Sequence, residues 1–267
     1  MRVRICICAP LLACTLVGLG AKGQQYSGSP LGVLVEPKTA LKPSPELRRL
    51  LPRAIRIRFL AQTKLAPEGE TIVVYDGKPA ESEPYPHIAI VQSGRIVKDY
   101  GLHRLIEYGE GHTAVGLLSF PVETNQEVAV VAFRNIGDGA SSPFVALAWV
   151  SGTYKVVFKR HATQGRLKVL GGETPRLELW SAADDLSPTT ALLAADNKTP
   201  IVHLMSVVWG PHRYQVETYE WREGKFVRVS KWKTKKFIDP ARMAARPLVL
   251  VKPKPQALPA NAAKPNS

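Results

Sequence analysis

From residue 46 to residue 240 the chain alternates apolar and polar side chains with a period of two far more often than of 3.6. Ile55 to Leu60 reads Ile-Arg-Ile-Arg-Phe-Leu, a half-buried strand with Arg56 and Arg58 on its wet face. Strands follow over Thr71–Tyr75, His87–Val91, Arg95–Tyr100, Glu127–Phe133, Phe144–Val150, Tyr154–Lys159, Arg166–Leu170 and Arg176–Trp180, and then over Ile201–Trp209, Tyr214–Trp221 and Lys225–Trp232. Asp76-Gly77, Ser93-Gly94, Asp138-Gly139, Ser151-Gly152, Gly171-Gly172, Gly210-Pro211 and Glu223-Gly224 punctuate these runs. Glycine supplies the positive φ that tight hairpins demand, so the punctuation predicts antiparallel hairpins and argues against βαβ crossovers. Helical pattern is confined to a turn or two at Pro45–Leu51, Leu102–Tyr108 and Thr189–Ala195. The expected fold is all-β: antiparallel sheets arranged as a sandwich or a small, partial propeller, with few short helices.

One hairpin recurs. Trp149-Val-Ser-Gly152-Thr-Tyr154-Lys-Val-Val157 and Trp221-Arg-Glu-Gly224-Lys-Phe226-Val-Arg-Val229 share the pattern W-x-x-G-x-aromatic-x-x-V. Trp closes one strand, Gly turns, and the returning aromatic lands beside that Trp, where cross-strand contact stabilises the pair. Gln92-Ser93-Gly94-Arg95-Ile96-Val97 reads as a third such hairpin without the Trp. Over about residues 127–232 this pattern resembles hairpins in bacterial exported proteins of the FG-GAP/VCBS group, which are built as β-propeller blades. Asn135-Ile136-Gly137-Asp138-Gly139 is similar to that group's acidic Gly-rich loop, with one acid in place of a spaced run of Asp. The resemblance implies an exported β-rich binding or scaffold protein.

The ends differ from this central region. Arg2 and Arg4 precede an apolar, small-residue run from Ile5 to Gly20, and Ala21-Lys22-Gly23 supplies a small-x-small cleavage pattern. Residues 1–23 therefore read as an export signal, and its removal takes away Cys6, Cys8 and Cys14, all the cysteines of the chain. Leu11-Leu12-Ala13-Cys14 offers the alternative of lipid attachment at Cys14, the one route to membrane anchorage apart from an uncleaved leader. Either way the expected location is outside the cytoplasm. Without thiols, apolar burial has to supply most of the stability. Residues 24–45 read as a Pro-rich linker and 241–267 as a basic Pro/Lys-rich tail with its backbone in water, which leaves 46–240 as the β-domain.

The formal net charge is +14. From Glu46 to Pro240 there are 26 Lys/Arg against 21 Asp/Glu, whereas Lys231 to Ser267 holds nine basic residues and one acid. A charge gathered toward one end favours attraction to an anionic envelope polymer or glycan. A folded nucleic-acid reader would interleave aromatics on a shaped basic face, so no specific nucleic acid is expected. Only Lys231-Trp232-Lys233-Thr234-Lys235-Lys236 mixes basic and aromatic residues.

Candidate chemistry is thin. Asn135 and Asp138 supply too few oxygens for calcium and read as an Asx/Gly turn. His103, Glu107, Glu110 and His112 could in principle hold zinc, but Gly109 and Gly111 break any helix and the spacing suits a loop. Gly109-Glu-Gly111-His-Thr-Ala114 mimics a dinucleotide fingerprint, yet Val115–Phe120 after it looks extended where a helix is required. Asp184, Asp185 and Asp196, with Glu173 and Glu178, could in principle furnish the paired carboxylates of a glycosidase, but nothing in the sequence fixes their separation. His87, His161, His203 and His212 have no nearby Ser/Asp arrangement in sequence. Trp149, Trp180, Trp209, Trp221 and Trp232 fall at or near strand ends, where they serve as core or as stacking platforms. No catalytic, metal or cofactor residue is assigned. The reading is a non-catalytic binding or scaffolding protein of the envelope, with a secreted glycan-acting hydrolase as the alternative.

Overall fold

The structure, a computed structural model, describes residues 33–35, 43–53, 55–77, 85–106, 111–136, 141–171, 174–186 and 210–251. The expected export signal, Trp209, His203, and the strand expected at 201–209 lie outside them, as do the helical turn expected at 189–195 and Asp138.

The fold is all-β, as the alternation predicts. Among the described residues it is built from three successive four-strand meanders, two of them extended by one further strand. The first sheet runs β2 (Arg56–Thr63), β3 (Glu70–Asp76), β4 (Pro86–Gln92), β5 (Arg95–Gly101). The middle sheet runs β6 (His112–Glu123), β7 (Gln126–Asn135), β8 (Ser141–Val150), β9 (Thr153–Thr163). The last runs β10 (Arg166–Leu170), β11 (Arg176–Leu186), β12 (His212–Arg222), β13 (Lys225–Lys233). Neighbours within each meander are antiparallel.

The middle sheet is buried on both faces. Val128, Val130 and Ala132 of β7 with Phe144, Ala146 and Ala148 of β8 pack on Leu167, Leu177, Tyr219 and Trp221 of the last sheet. The intervening Ala129, Val131, Phe133, Val145 and Leu147 pack on Phe59, Ile72, Val74, Ile88 and Ile90 of the first. This explains why β7 and β8 read as nearly unbroken apolar runs: both pleat faces need apolar side chains. The outer face of the first sheet is closed by α1 (Pro45–Leu50), whose Leu47 and Leu50, with Leu51 beyond, lie on Val73, Tyr75 and Ala89. Ser44 caps α1 by accepting from the Leu47 N–H, and Pro45 stands in its first turn.

In each meander the hairpin between the third and fourth strands turns on two residues of positive φ: Ser93-Gly94, Ser151-Gly152 and Glu223-Gly224. That is the type I′ geometry which matches strand twist. The recurrent motif is a physical unit. Trp149 and Tyr154 are cross-strand partners with rings 4.6 Å apart, and Trp221 and Phe226 repeat this at 5.2 Å. The closing Val of the motif has its own role. Val157 and Val229 are the extra residues of β-bulges in β9 and β13, and Val97 holds the same place in β5.

The expected boundaries at 45 and 240 are too narrow. Within the supposed linker, β1 (Val33–Val35) pairs with β6. Beyond 240, α3 (Pro240–Ala244) buries Met243, and β14 (Leu248–Val251) runs parallel to β10 with Leu248 in the core. Leu248–Val251 is a four-residue apolar run between prolines and lysines, and a composition-based reading merges it with the polar tail around it. The segment from Thr234 to Pro247 thus passes across one end of the last sheet, from its β13 edge to its β10 edge.

Candidate functional site

The outer face of the last sheet carries a row set by register. Arg166, Trp180, Val216 and Trp232 stand opposite one another on four adjacent strands. Leu177 and Leu179 point into the core, so the alternation of β11 sends Trp180 and Glu178 outward. The two indoles meet edge to face with centres 5.7 Å apart, and Val216 between them has no exposed surface. The Lys168 ammonium lies 3.8 Å from the centre of the Trp180 ring. Glu178 accepts from Trp180 Nε1 at 3.2 Å and faces Lys168 Nζ at 3.8 Å. Burial lowers the Lys168 pKa, and the Glu178 charge opposes that shift.

Trp232 is 45 % exposed, in an edge strand exposed along most of its length. From Lys225 to Lys236 the chain has six basic residues and no acid. Two of these are held on Glu217: Arg228 Nη1 at 3.1 Å and Lys231 Nζ at 3.8 Å. Burial alone would raise the Glu217 carboxyl, but the Tyr219 hydroxyl at 2.5 Å and the two cations outweigh it and hold the pKa below its ordinary value. Lys235 and Lys236 are exposed beyond the strand. The outer face offers a flat aromatic surface for the apolar face of a sugar ring, with the Lys168 ammonium beside it as a donor for anionic groups.

A second cluster lies on the first sheet. His87 Nδ1 is 2.9 Å from Asp99 Oδ1, and the Tyr75 hydroxyl donates to Asp99 Oδ2 at 2.7 Å. Tyr75 stacks on His87 at 4.9 Å, while His103 of α2 (Leu102–Leu105) meets Tyr85 at 4.5 Å. Burial pushes the Asp99 carboxyl up, but hydrogen bonds from His87 and Tyr75 and the charges of His87 and Arg104 bring it below its usual value.

The other sequence candidates separate. His103 faces the first sheet, whereas buried His112 reaches Ser141 Oγ at 3.3 Å, and Glu107 and Glu110 lie outside the described residues. His161 Nε2 is 2.8 Å from the same Ser141 Oγ, a grouping no local spacing announces. His212 opens β12 and is buried, its backbone paired with Ile238. Gly111 to Ala114 runs into β6 and opens no helix. Of the carboxylates, Glu178 is tied to Lys168 and Trp180; Asp184 and Asp185 fall at the end of β11 with side chains undescribed, and Glu173 and Asp196 lie outside the described residues. Among the described residues no group of three or more His, Asp or Glu gathers as a metal-ligand set, and no helix is long and apolar enough to cross a membrane. Trp149 and Trp221 are hairpin and core residues; Trp180 and Trp232 are the pair on the surface. Compared with known protein families, characterised proteins and solved structures, the chain matches none.

Proposed function

We propose that this chain is an exported, non-catalytic binding protein whose last sheet docks an anionic glycan polymer of the cell envelope. The observation that carries this reading is the exposed Trp232, set against Trp180 on an edge strand that runs with Lys235 and Lys236 into six cations without an acid. A core needs no indole on its outer face, and an exposed aromatic pair with a lysine ammonium over it suits stacking against sugar rings with charge-assisted contacts to carboxylate or phosphate. The three stacked meanders and their recurrent hairpins give the docking face a rigid support. Export rests on the leader pattern of residues 1–23.

Binding to immobilised polygalacturonate, against neutral amylose, tests the proposal. The acidic polymer binds preferentially, and the preference weakens as salt shortens the screening length from about 10 Å at 0.1 M to about 3 Å at 1 M. Trp232→Ala lowers affinity about 10- to 30-fold, the loss typical of an aromatic anchor. Equal retention on both polymers, or an unchanged affinity in Trp232→Ala, overturns it. Release of shortened polymer would replace it with the hydrolase reading.

A further inference from the structure

The His87 cluster lies on the opposite outer sheet from the Trp pair and has no part in the proposed docking. Its construction is specific. The Tyr75 hydroxyl occupies one oxygen of Asp99 and leaves the other for His87 Nδ1. With Nδ1 carrying the proton toward a carboxylate, the lone pair of His87 is fixed on Nε2. This is the carboxylate–histidine arrangement that orients metal-ligating imidazoles and raises their basicity.

Both strands that flank this ring carry glycine beside it. A Cβ on Gly77 would stand 3.2 Å from His87 Nε2. On the other flank, the cross-strand partner of His87 is Gly101, and a Cβ there would stand 3.4 Å from His87 Cε1 and 2.8 Å from His103 Nδ1. The absent side chain lets His103 fold back over β5 until the two rings lie 6.5 Å apart. Two imidazoles on one ion at about 2.0–2.1 Å put their centres about 5–6 Å apart. His103 is exposed on its short helix, so a change of its side-chain torsions can bring the rings within that range.

We infer that His87 and His103 bind one late first-row divalent cation, with water completing its shell and Asp99 as the positioning residue behind His87. Nitrogen donors select copper, nickel or zinc over calcium and magnesium, and copper(II) binds most tightly of these.

The test uses the full chain with Cys6, Cys8 and Cys14 changed to Ser, which removes competing thiolates. Copper(II) is titrated and the complex examined by electron paramagnetic resonance. One equivalent with hyperfine splitting from two imidazole nitrogens is expected. His103→Ala, on an exposed side chain, leaves the circular dichroism unchanged and removes one of those nitrogens; Asp99→Asn weakens binding about 10- to 100-fold. A two-nitrogen spectrum that persists in His103→Ala would place the copper on other histidines and end the proposal. So would a wild-type affinity no greater than that of a His87→Ala/His103→Ala chain, or an Asp99→Asn variant that binds as tightly as its parent.

Discussion

The first and last meanders share strand number, strand order, hairpin type and a bulge in the fourth strand, and each gives one face to the middle sheet. On the other face they part. α1 lays Leu47 and Leu50 over the first sheet and makes a third apolar cluster there, whereas Trp232 on the last sheet keeps 45 % of its surface exposed. A folded chain covers large apolar groups where it can, because each is worth about 1.5–3 kcal/mol when fully buried. The first sheet shows that this architecture can supply a cover. An open indole on the equivalent face of the last sheet, set against Trp180 with the Lys168 ammonium over that ring, therefore points to a role in contact with something else.

The widest test of that contrast concerns how the last sheet is finished. Ending the chain before Leu248 removes β14, the buried Leu248, and the hydrogen bond from Gly171 N–H to the Val251 carbonyl. Loss of a buried leucine alone costs about 2–5 kcal/mol, so this chain should melt at much lower urea than the parent. Ending it after Val251 should change the midpoint little. If both truncations melt alike, β14 contributes nothing and the last sheet ends at β10.

A smaller effect separates the two outer faces directly. Leu51→Ala, at a residue 5 % exposed over the first sheet, should cost about 2–4 kcal/mol in denaturant melts. Trp232→Ala should cost about 0.5–1.5 kcal/mol, the scale of one aromatic pair, although the side chain is far larger. A large destabilisation by Trp232→Ala would make the indole structural and erase the contrast on which the docking face rests.

How much of this was legible in the sequence depends on distance along the chain. Period-two alternation and x-Gly turns are local, so the strands and the three hairpins could be read with small errors at their ends. The stacking of three sheets could not, although Val128–Phe133 and Phe144–Trp149 carry its trace as apolar runs without a wet face. Trp180 and Trp232 are brought together only because both pair with Val216. The His87–Asp99 pair turns on one residue. A regular hairpin closed by Ser93-Gly94 would set Asp99 against Ile88, on the inner face. The bulge at Val97 shifts the register so that Asp99 faces Ala89, on the same side as His87. Bulges leave little mark in composition, and so that pair stayed hidden while its hairpin did not.

The finest distinction between the two sheets is in their response to acid. Glu217 on the last sheet and Asp99 on the first both have carboxyl pKa values held below the ordinary range. A carboxyl lowered in the folded state contributes stability that is complete above its unfolded value, about 4.3 for Glu, and is lost as pH falls through the folded value. Both sheets should therefore weaken on acidification below about pH 4.5, and neither carboxyl should affect stability between pH 6 and 8. Glu217 works through Arg228 and Lys231, which are more than half exposed, so its share should be under about 1 kcal/mol. Glu217→Gln should flatten the fall in urea midpoint between pH 5 and 3 without abolishing it, because Asp99 still titrates. A fall in midpoint for Glu217→Gln as steep as the parent's would mean that this carboxyl contributes nothing to the last sheet.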